Sequence, residues 1–397
     1  MNKSTAVLFL TLVCNAYGDL PMGSLSWRSF DVVDCPGSDH VLLSTRDASL
    51  AGFHSVVFNS RGNSWSWSLL SMDRYGKVTG KTILLSDTGE LAHWFTPCFT
   101  EGGNLVAVFG SRLGPGPAFF TTLNCADTQE RTEVELGGPF KSYDEVLLTS
   151  LEELDSGGFL VSGAGYGETS GMAFFTGEIT EDGTAVWLRE LPRYSSLQLE
   201  DTSMEVLRDG SFMISFEEDA FPSGISIARL DPDGQEAWEA FIDLQCEFTA
   251  VVNDFLQLNN GSILGAGTYD QLGTLQLRGV LALFDPSLEE IWERSVHYGD
   301  FTEITSLQYT QDNEILCTGW YGLSAQGAFT AEGMNILLAF LDPRDGSLSA
   351  FEVFEQGNQI PCAVFEGGFG EYFVIGGHTP VNETESDVFF GRVLLER

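Results

Sequence analysis

Gly158-Phe159-Leu160-Val161-Ser162-Gly163 is a short apolar run framed by glycine, and it recurs along the chain. Its copies are Phe53-His54-Ser55-Val56-Val57-Phe58, Asn104-Leu105-Val106-Ala107-Val108-Phe109, Ser211-Phe212-Met213-Ile214-Ser215-Phe216 and Ser262-Ile263-Leu264-Gly265-Ala266-Gly267. Two more are Glu314-Ile315-Leu316-Cys317-Thr318-Gly319 and Glu371-Tyr372-Phe373-Val374-Ile375-Gly376. The seven starts, 53, 104, 158, 211, 262, 314 and 371, are separated by 51, 54, 53, 51, 52 and 57 residues. So steady a period, near the length of a four-stranded propeller blade, predicts seven blades.

Working outward from the third copy, Glu145-Val146-Leu147-Leu148-Thr149-Ser150 precedes it across the turn Asp155-Ser156-Gly157. Met172-Ala173-Phe174-Phe175-Thr176-Gly177 follows, then the turn Glu181-Asp182-Gly183 and Ala185-Val186-Trp187-Leu188-Arg189-Glu190. Each segment is strand-length, and glycine supplies the positive φ that tight hairpins need. The marker run is the most apolar of the four, which places it second from the propeller axis, covered on both faces. The outer strand carries an aromatic, Trp187, Trp238, Trp292 or Phe351, expected to pack between blades. The seventh unit stops after its third strand, Val388 to Leu395, whereas Leu25-Ser26-Trp27-Arg28-Ser29-Phe30 is an orphan strand with its own tryptophan. The expected fold is therefore an all-β seven-bladed propeller of antiparallel four-stranded blades, its ring closed by the N-terminal strand (24–32) joining the last blade. The blades fall at about 38–87, 91–137, 143–191, 200–243, 246–297, 301–356 and 358–397 of one domain spanning 19–397.

Composition agrees with many short strands: 44 Gly and 30 Phe in 397 residues, and no long stretch with a 3.6-residue period. The formal net charge of −38 repels phosphate backbones and anionic lipid headgroups, so nucleic acid and acidic membranes are excluded as partners. The acidity itself reads first as solubility. Lys3, the apolar run Ala6 to Cys14, and Ala16-Tyr17-Gly18 read as a cleavable export signal over 1–18. The expected location is secreted or periplasmic, without a membrane anchor. Cys35, Cys98, Cys125, Cys246, Cys317 and Cys362 remain as buried thiols or disulfides; no spacing chooses their pairing.

The repeat resembles a broad family of exported bacterial β-propellers with a WD40-like outline. Asp155-Ser156-Gly157-Gly158-Phe159, the glycines 163, 267 and 319, and Arg229-Leu230-Asp231-Pro232-Asp233-Gly234 through Trp238 carry the resemblance. It implies the architecture and no agreed activity. The Asp-turn-Trp outline is also similar to that of quinoprotein dehydrogenases. Their Thr-Gly-Lys turn and adjacent Cys-Cys pair are missing here, and that class uses eight units. Sialidase-like turns require a different spacing from Thr180-Glu181-Asp182-Gly183 before Trp187.

No catalytic residue, resident metal or cofactor follows from the sequence. The five histidines lack metal-ligand spacing. Asp-rich turns such as Asp231-Pro232-Asp233 could offer calcium oxygens but serve hairpin geometry equally well. Function is expected where loops are long: strand two to strand three of each blade, and blade to blade. That side collects the expected ligand-binding residues Tyr166, Tyr194, Tyr269, His297, Tyr298, Trp320, Tyr321 and His378. The first expectation is a monomeric, non-enzymatic binding scaffold for an extracellular protein or glycan. The alternative is an exported polysaccharide hydrolase or lyase with an acidic site at the channel mouth.

Overall fold

The computed structural model describes residues 24–33, 38–46, 52–61, 64–87, 93–111, 118–125, 130–167, 171–191, 203–218, 223–271, 276–287, 289–298, 300–322, 334–353, 358–368, 371–379 and 387–396. The leader-like segment, Cys35 and Tyr194 lie outside the described residues.

Apolar runs four to ten residues long, punctuated by Gly and Asp, form seven antiparallel blades, a seven-bladed β-propeller. Blade one is β2 (Ser38–Arg46), β3 (Gly52–Arg61), β4 (Ser64–Asp73) and β5 (Val78–Asp87). Blade two is β6 (His93–Phe99), β7 (Leu105–Ser111), β8 (Phe119–Leu123) and β9 (Arg131–Glu135). Blade three is β10 (Glu145–Glu153), β11 (Phe159–Gly167), β12 (Gly171–Ile179) and β13 (Ala185–Glu190). Blade four is β14 (Met204–Val206), β15 (Phe212–Glu218), β16 (Ser223–Leu230) and the first part of β17 (Glu236–Gln257). The rest of β17 opens blade five, with β18 (Ile263–Gln271), β19 (Leu277–Phe284) and β20 (Glu290–Val296). Blade six is β21 (Phe301–Tyr309), β22 (Ile315–Gly322), β23 (Asn335–Asp342) and β24 (Ser347–Val353). Blade seven is β25 (Asn358–Gly368), β26 (Glu371–Thr379), β27 (Asp387–Glu396) and β1 (Ser24–Val33), which pairs with β27 from Ser24–Glu396 to Val33–Val388. The orphan N-terminal strand thus supplies the strand that the last unit lacks. β17 differs from the expected layout: it runs for 22 residues without a break from the outer edge of blade four into blade five.

The chain forms two compact units. One contains blades one, six and seven (Met1–Arg46, Leu50–Ser86 and Trp292–Arg397). Its core includes Phe53 of blade one against Phe365, Phe373 and Phe390 of blade seven, at ring separations of 5.4, 5.2 and 5.2 Å. The other (Asp47–Ser49 and Asp87–Ile291) holds blades two to four and most of blade five. Phe120, Leu151, Phe159, Phe175 and Ile179 are among the buried groups that join its blades two and three.

The glycine that ends the marker run has a specific cause. The first strand of blades one, three, five, six and seven carries one extra residue at the same place, between positions 41 and 43, 148 and 150, 252 and 254, 304 and 306, and 361 and 363. Such a bulge turns a backbone carbonyl toward the opposite strand. A Cβ on Gly267 or Gly319 would lie 1.9 Å from the carbonyl oxygen of Val251 or Glu303. The glycine therefore marks where the first strand bulges against the second.

The outer aromatics pack as the sequence suggests where their side chains are described. A Cβ on Gly346 of blade six would lie 3.0 Å from the Trp292 ring of blade five, whose indole N–H donates to the Pro343 carbonyl at 3.1 Å. Arg294 donates to the carbonyl of Asp345 in the same turn. In the other unit Trp187 of blade three lies against Gly234 of blade four, with Arg189 donating to the Asp233 carbonyl. A tryptophan and an arginine two residues on thus clasp the next blade's Asp-Gly turn.

Candidate functional site

Two sets of connections differ in kind. Most of those joining strand one to two and three to four are tight among the described residues; the connection from Leu123 of β8 to Arg131 of β9 is longer. In the loop from Leu154 to Gly158, the Leu154 amide donates to the Gly158 carbonyl and the Gly157 amide to the Leu154 carbonyl, each at 2.8 Å. The same pair of bonds closes the loops beginning at Asp73, Thr100, Thr180, Leu207, Asp231, Leu258 and Thr310. The residue that turns each chain back has positive φ: Gly76, Gly103, Gly157, Gly183, Gly210, Gly234, Gly261, and Asn313 at 59°. Asn tolerates that region better than other side chains do. The connections from strand two to three are longer in several blades, leaving β18 at Gln271 to re-enter at Leu277, β22 at Gly322 to re-enter at Asn335, and β26 at Thr379 to re-enter at Asp387.

The expected ligand residues are divided between the units. Tyr166 is the last residue but one of β11 and is half-buried against the core shared by blades three and four. Burial, then Glu145, raises its phenol pKa. Tyr269, two blades on, lies opposite Arg278 and packs on the core between blades four and five. In the other unit His297 is exposed. The Tyr298 amide donates to Thr302 Oγ1 at 2.8 Å, and that hydroxyl donates to the Tyr298 carbonyl at 2.6 Å. The Tyr298 ring lies 6.4 Å from that of Tyr321. Trp320, Tyr321 and His378 are buried, at 6%, 4% and 7% exposure. Tyr298 and Tyr321 are therefore brought together, whereas Tyr166 and Tyr269 stand on separate blades. Four of the eight, Tyr166, Tyr269, His297 and Tyr298, reach solvent among the described residues.

A second set of groups lies on the first strands of the unit holding blades two to five. Glu152 on β10 pairs with Leu160, and Glu205 on β14 holds the same place opposite Met213. Equivalent positions elsewhere hold Cys98, Leu256, Gln308 and Phe365. Gln308 shows where this position points: its amide donates to the Val364 carbonyl on the next blade's first strand at 3.0 Å. Thr96 and Ser203, two residues earlier in register, likewise donate to Leu148 and Asn253 carbonyls on the following first strand, at 2.7 and 3.3 Å. Glu152 accordingly faces β14, and Glu205 faces β17, where Asp254 lies.

Burial and mutual repulsion act on these carboxyls. Burial first, then the Asp254 carboxylate, pushes Glu152 up to about 7. Burial, then Glu152 and Asp254, pushes Glu205 up to about 8. Burial, then Glu152, also holds the neighbouring Cys98 thiol up at about 12, far from a reactive thiolate. All three carboxyl residues keep partial solvent access. The arrangement can present protonated carboxyls near neutral pH, able to donate a hydrogen bond or a proton. The sequence held a signal for two of them: Glu152 and Glu205 each stand six residues before a marker start, 158 and 211. Asp254 stands eight before 262, two residues ahead of that column, and the alternation of the strand puts it on the same face.

Among the described residues, no group of three or more His, Cys, Asp or Glu side chains is placed to hold a metal ion. Among the described residues, Cys98, Cys125 and Cys317 are buried and Cys362 partly so, none of them in a disulfide. No described helix is long and apolar enough to cross a membrane.

No known protein-family model matches the chain, and no curated protein matches it in sequence. Solved structures do resemble it. A protein of unknown function from Dyadobacter fermentans superimposes with a TM-score of 0.52 at 10% identity, covering 95% of this chain and 100% of its own. The acylaminoacyl peptidase of Pyrococcus horikoshii gives a TM-score of 0.52 at 11% identity over 89% of this chain. This chain spans about half of that peptidase, 51% of its length. At such identities the likeness speaks for the fold alone.

Proposed function

We propose that the protein is an exported binding scaffold without catalytic activity, taking a glycan or protein ligand on the side of the longer connections. One observation carries this reading: the two sets of connections are built differently. Eight of the turns joining strands one to two and three to four close on their own backbone bonds around a positive-φ residue. The other connections leave the strand ends at Tyr166, Tyr269, His297 and Tyr298, side chains with large contact area and few rotors. A rigid strand scaffold carrying variable connections is the usual seat of binding. Export rests on the leader-like segment 1–18.

A second reading is favoured by Glu205 and Glu152. A carboxylic acid that keeps its proton near neutral pH is what a glycosidic general acid requires. One experiment separates the two: incubate the mature chain with a glycan and polysaccharide array, scoring both retention and released reducing ends. The scaffold reading expects retention that falls when Tyr298 or Tyr269 is replaced by Ala, with no new reducing ends. Reducing ends that vanish in Glu205→Gln would replace it with the hydrolytic reading.

A further inference from the structure

We propose that the first strands of blades three, four and five form a pH-sensitive seam, closed when Glu152 and Glu205 carry protons and loosened when they ionise. The geometry comes from the repeat. One position of the first strand points at the next blade's first strand, as the Gln308–Val364 bond shows for blade six. In blades three and four that position holds Glu152 and Glu205; both feel the charge of Asp254, which lies on β17 two residues ahead of the equivalent Leu256.

At three other junctions a side chain of the next blade reinforces the joint. The Glu101 amide donates to Glu153 at 2.6 Å, the Arg208 amide to Gln257 at 2.9 Å, and the Gln311 amide to Glu366 at 2.5 Å. The acceptors sit at one repeat position, opposite Phe159, Ile263 and Tyr372. Between blades three and four that position is Val206, opposite Phe212, which has no acceptor to offer. The junction that Glu152 faces therefore lacks this clamp.

Among the described residues, the titratable groups at the seam come from four strands. From β6 comes Cys98, from β10 Glu152 with Glu153 beside it, from β14 Glu205, and from β17 Asp254. Arg208 follows in the turn after β14, but its guanidinium donates to Asn259 Oδ1 at the tip of the next blade's hairpin, 3.1 Å away. The charges that raise the two glutamate pKa values are the carboxylates themselves.

The sign follows from linkage. Both glutamates hold protons in the folded chain after the unfolded chain has lost them. The stability that these two groups contribute is therefore fullest below the ordinary glutamate range and is lost as pH rises toward about 7 and 8, the values of Glu152 and Glu205. Between pH 6 and 9 ordinary carboxyls are already ionised, so a further loss there isolates the raised pair from the general charge of the chain.

The test is hydrogen exchange by mass spectrometry on the full chain at several pH values from 6 to 9, corrected for the intrinsic pH dependence of exchange. Peptides from β10, β14 and the second half of β17 should lose protection as pH rises, while those from β12 and β19 hold theirs. Glu205→Gln and Glu152→Gln should each remove a large share of that loss. Uniform loss across the unit, or variants whose profiles parallel the parent, would overturn the seam. If either variant fails to fold, the parent's contrast between inner and middle strands decides alone. Ligand retention on the array plays no part in the readout, so this proposal and the binding reading fail separately.

Discussion

The first strands of blades six and seven and those of blades three, four and five solve the same packing problem with different chemistry. In the first pair Gln308 and Glu366 bond backbone groups across the joint, at 3.0 and 2.5 Å. In the second set the place of Gln308 is taken by Glu152 and Glu205, and the place of Glu366 in blade four by Val206. The backbone repeat fixes where a side chain points. Whether that direction yields a clamp or a titrating cluster depends on single residues. A repeat protein can thus keep its architecture while one arc of it is set apart chemically.

The comparison breaks first if the shared backbone does. Gly319→Val places a Cβ 1.9 Å from the Glu303 carbonyl and should cost about 3 kcal/mol or more, or prevent folding, as judged by denaturant unfolding. Near-neutral unfolding energies for this variant would show that the bulge does not dictate glycine. Trp292→Ala strips the ring from Gly346 and the bond to Pro343. Since the indole is only half-buried, a loss of about 2 kcal/mol is expected. Gln308→Leu, which removes one clamp and leaves the Val364 carbonyl unmet, should cost about 1 kcal/mol, equally at pH 6 and pH 9. The smallest effect sharpens the contrast: Val206→Gln, supplying the acceptor that the third junction lacks, should stabilise by about 0.5 kcal/mol in thermal unfolding.

The architecture was legible because it is periodic. The seven marker starts gave the blade count, and the orphan Trp27 strand gave the pairing with β27 that the register shows from Ser24 to Val33. The role of Gly163, Gly267, Gly319 and Gly376 was visible only as a strand-ending letter. Its cause, a carbonyl pushed across by a bulge in a different strand, is a tertiary relation. Aromatic letters near loop ends cannot say which way a side chain turns. Trp320 and Tyr321 are adjacent in β22 and point to opposite faces, yet both are buried, because neighbouring groups cover each face. The carboxyl cluster was hidden among 57 acidic residues. Aligned by the marker, Glu152 and Glu205 share a column, but their mutual approach needs the blades side by side.

The most direct measurement of the account is an infrared titration of the C=O stretch of protonated carboxyl groups between pH 6 and 9, comparing the parent with the double variant Glu152→Gln, Glu205→Gln. The predicted result is a protonated-carboxyl band present at pH 6, lost by pH 9 and missing from the double variant. A parent protein with no such band at pH 6, or a double variant with the same band, would contradict it.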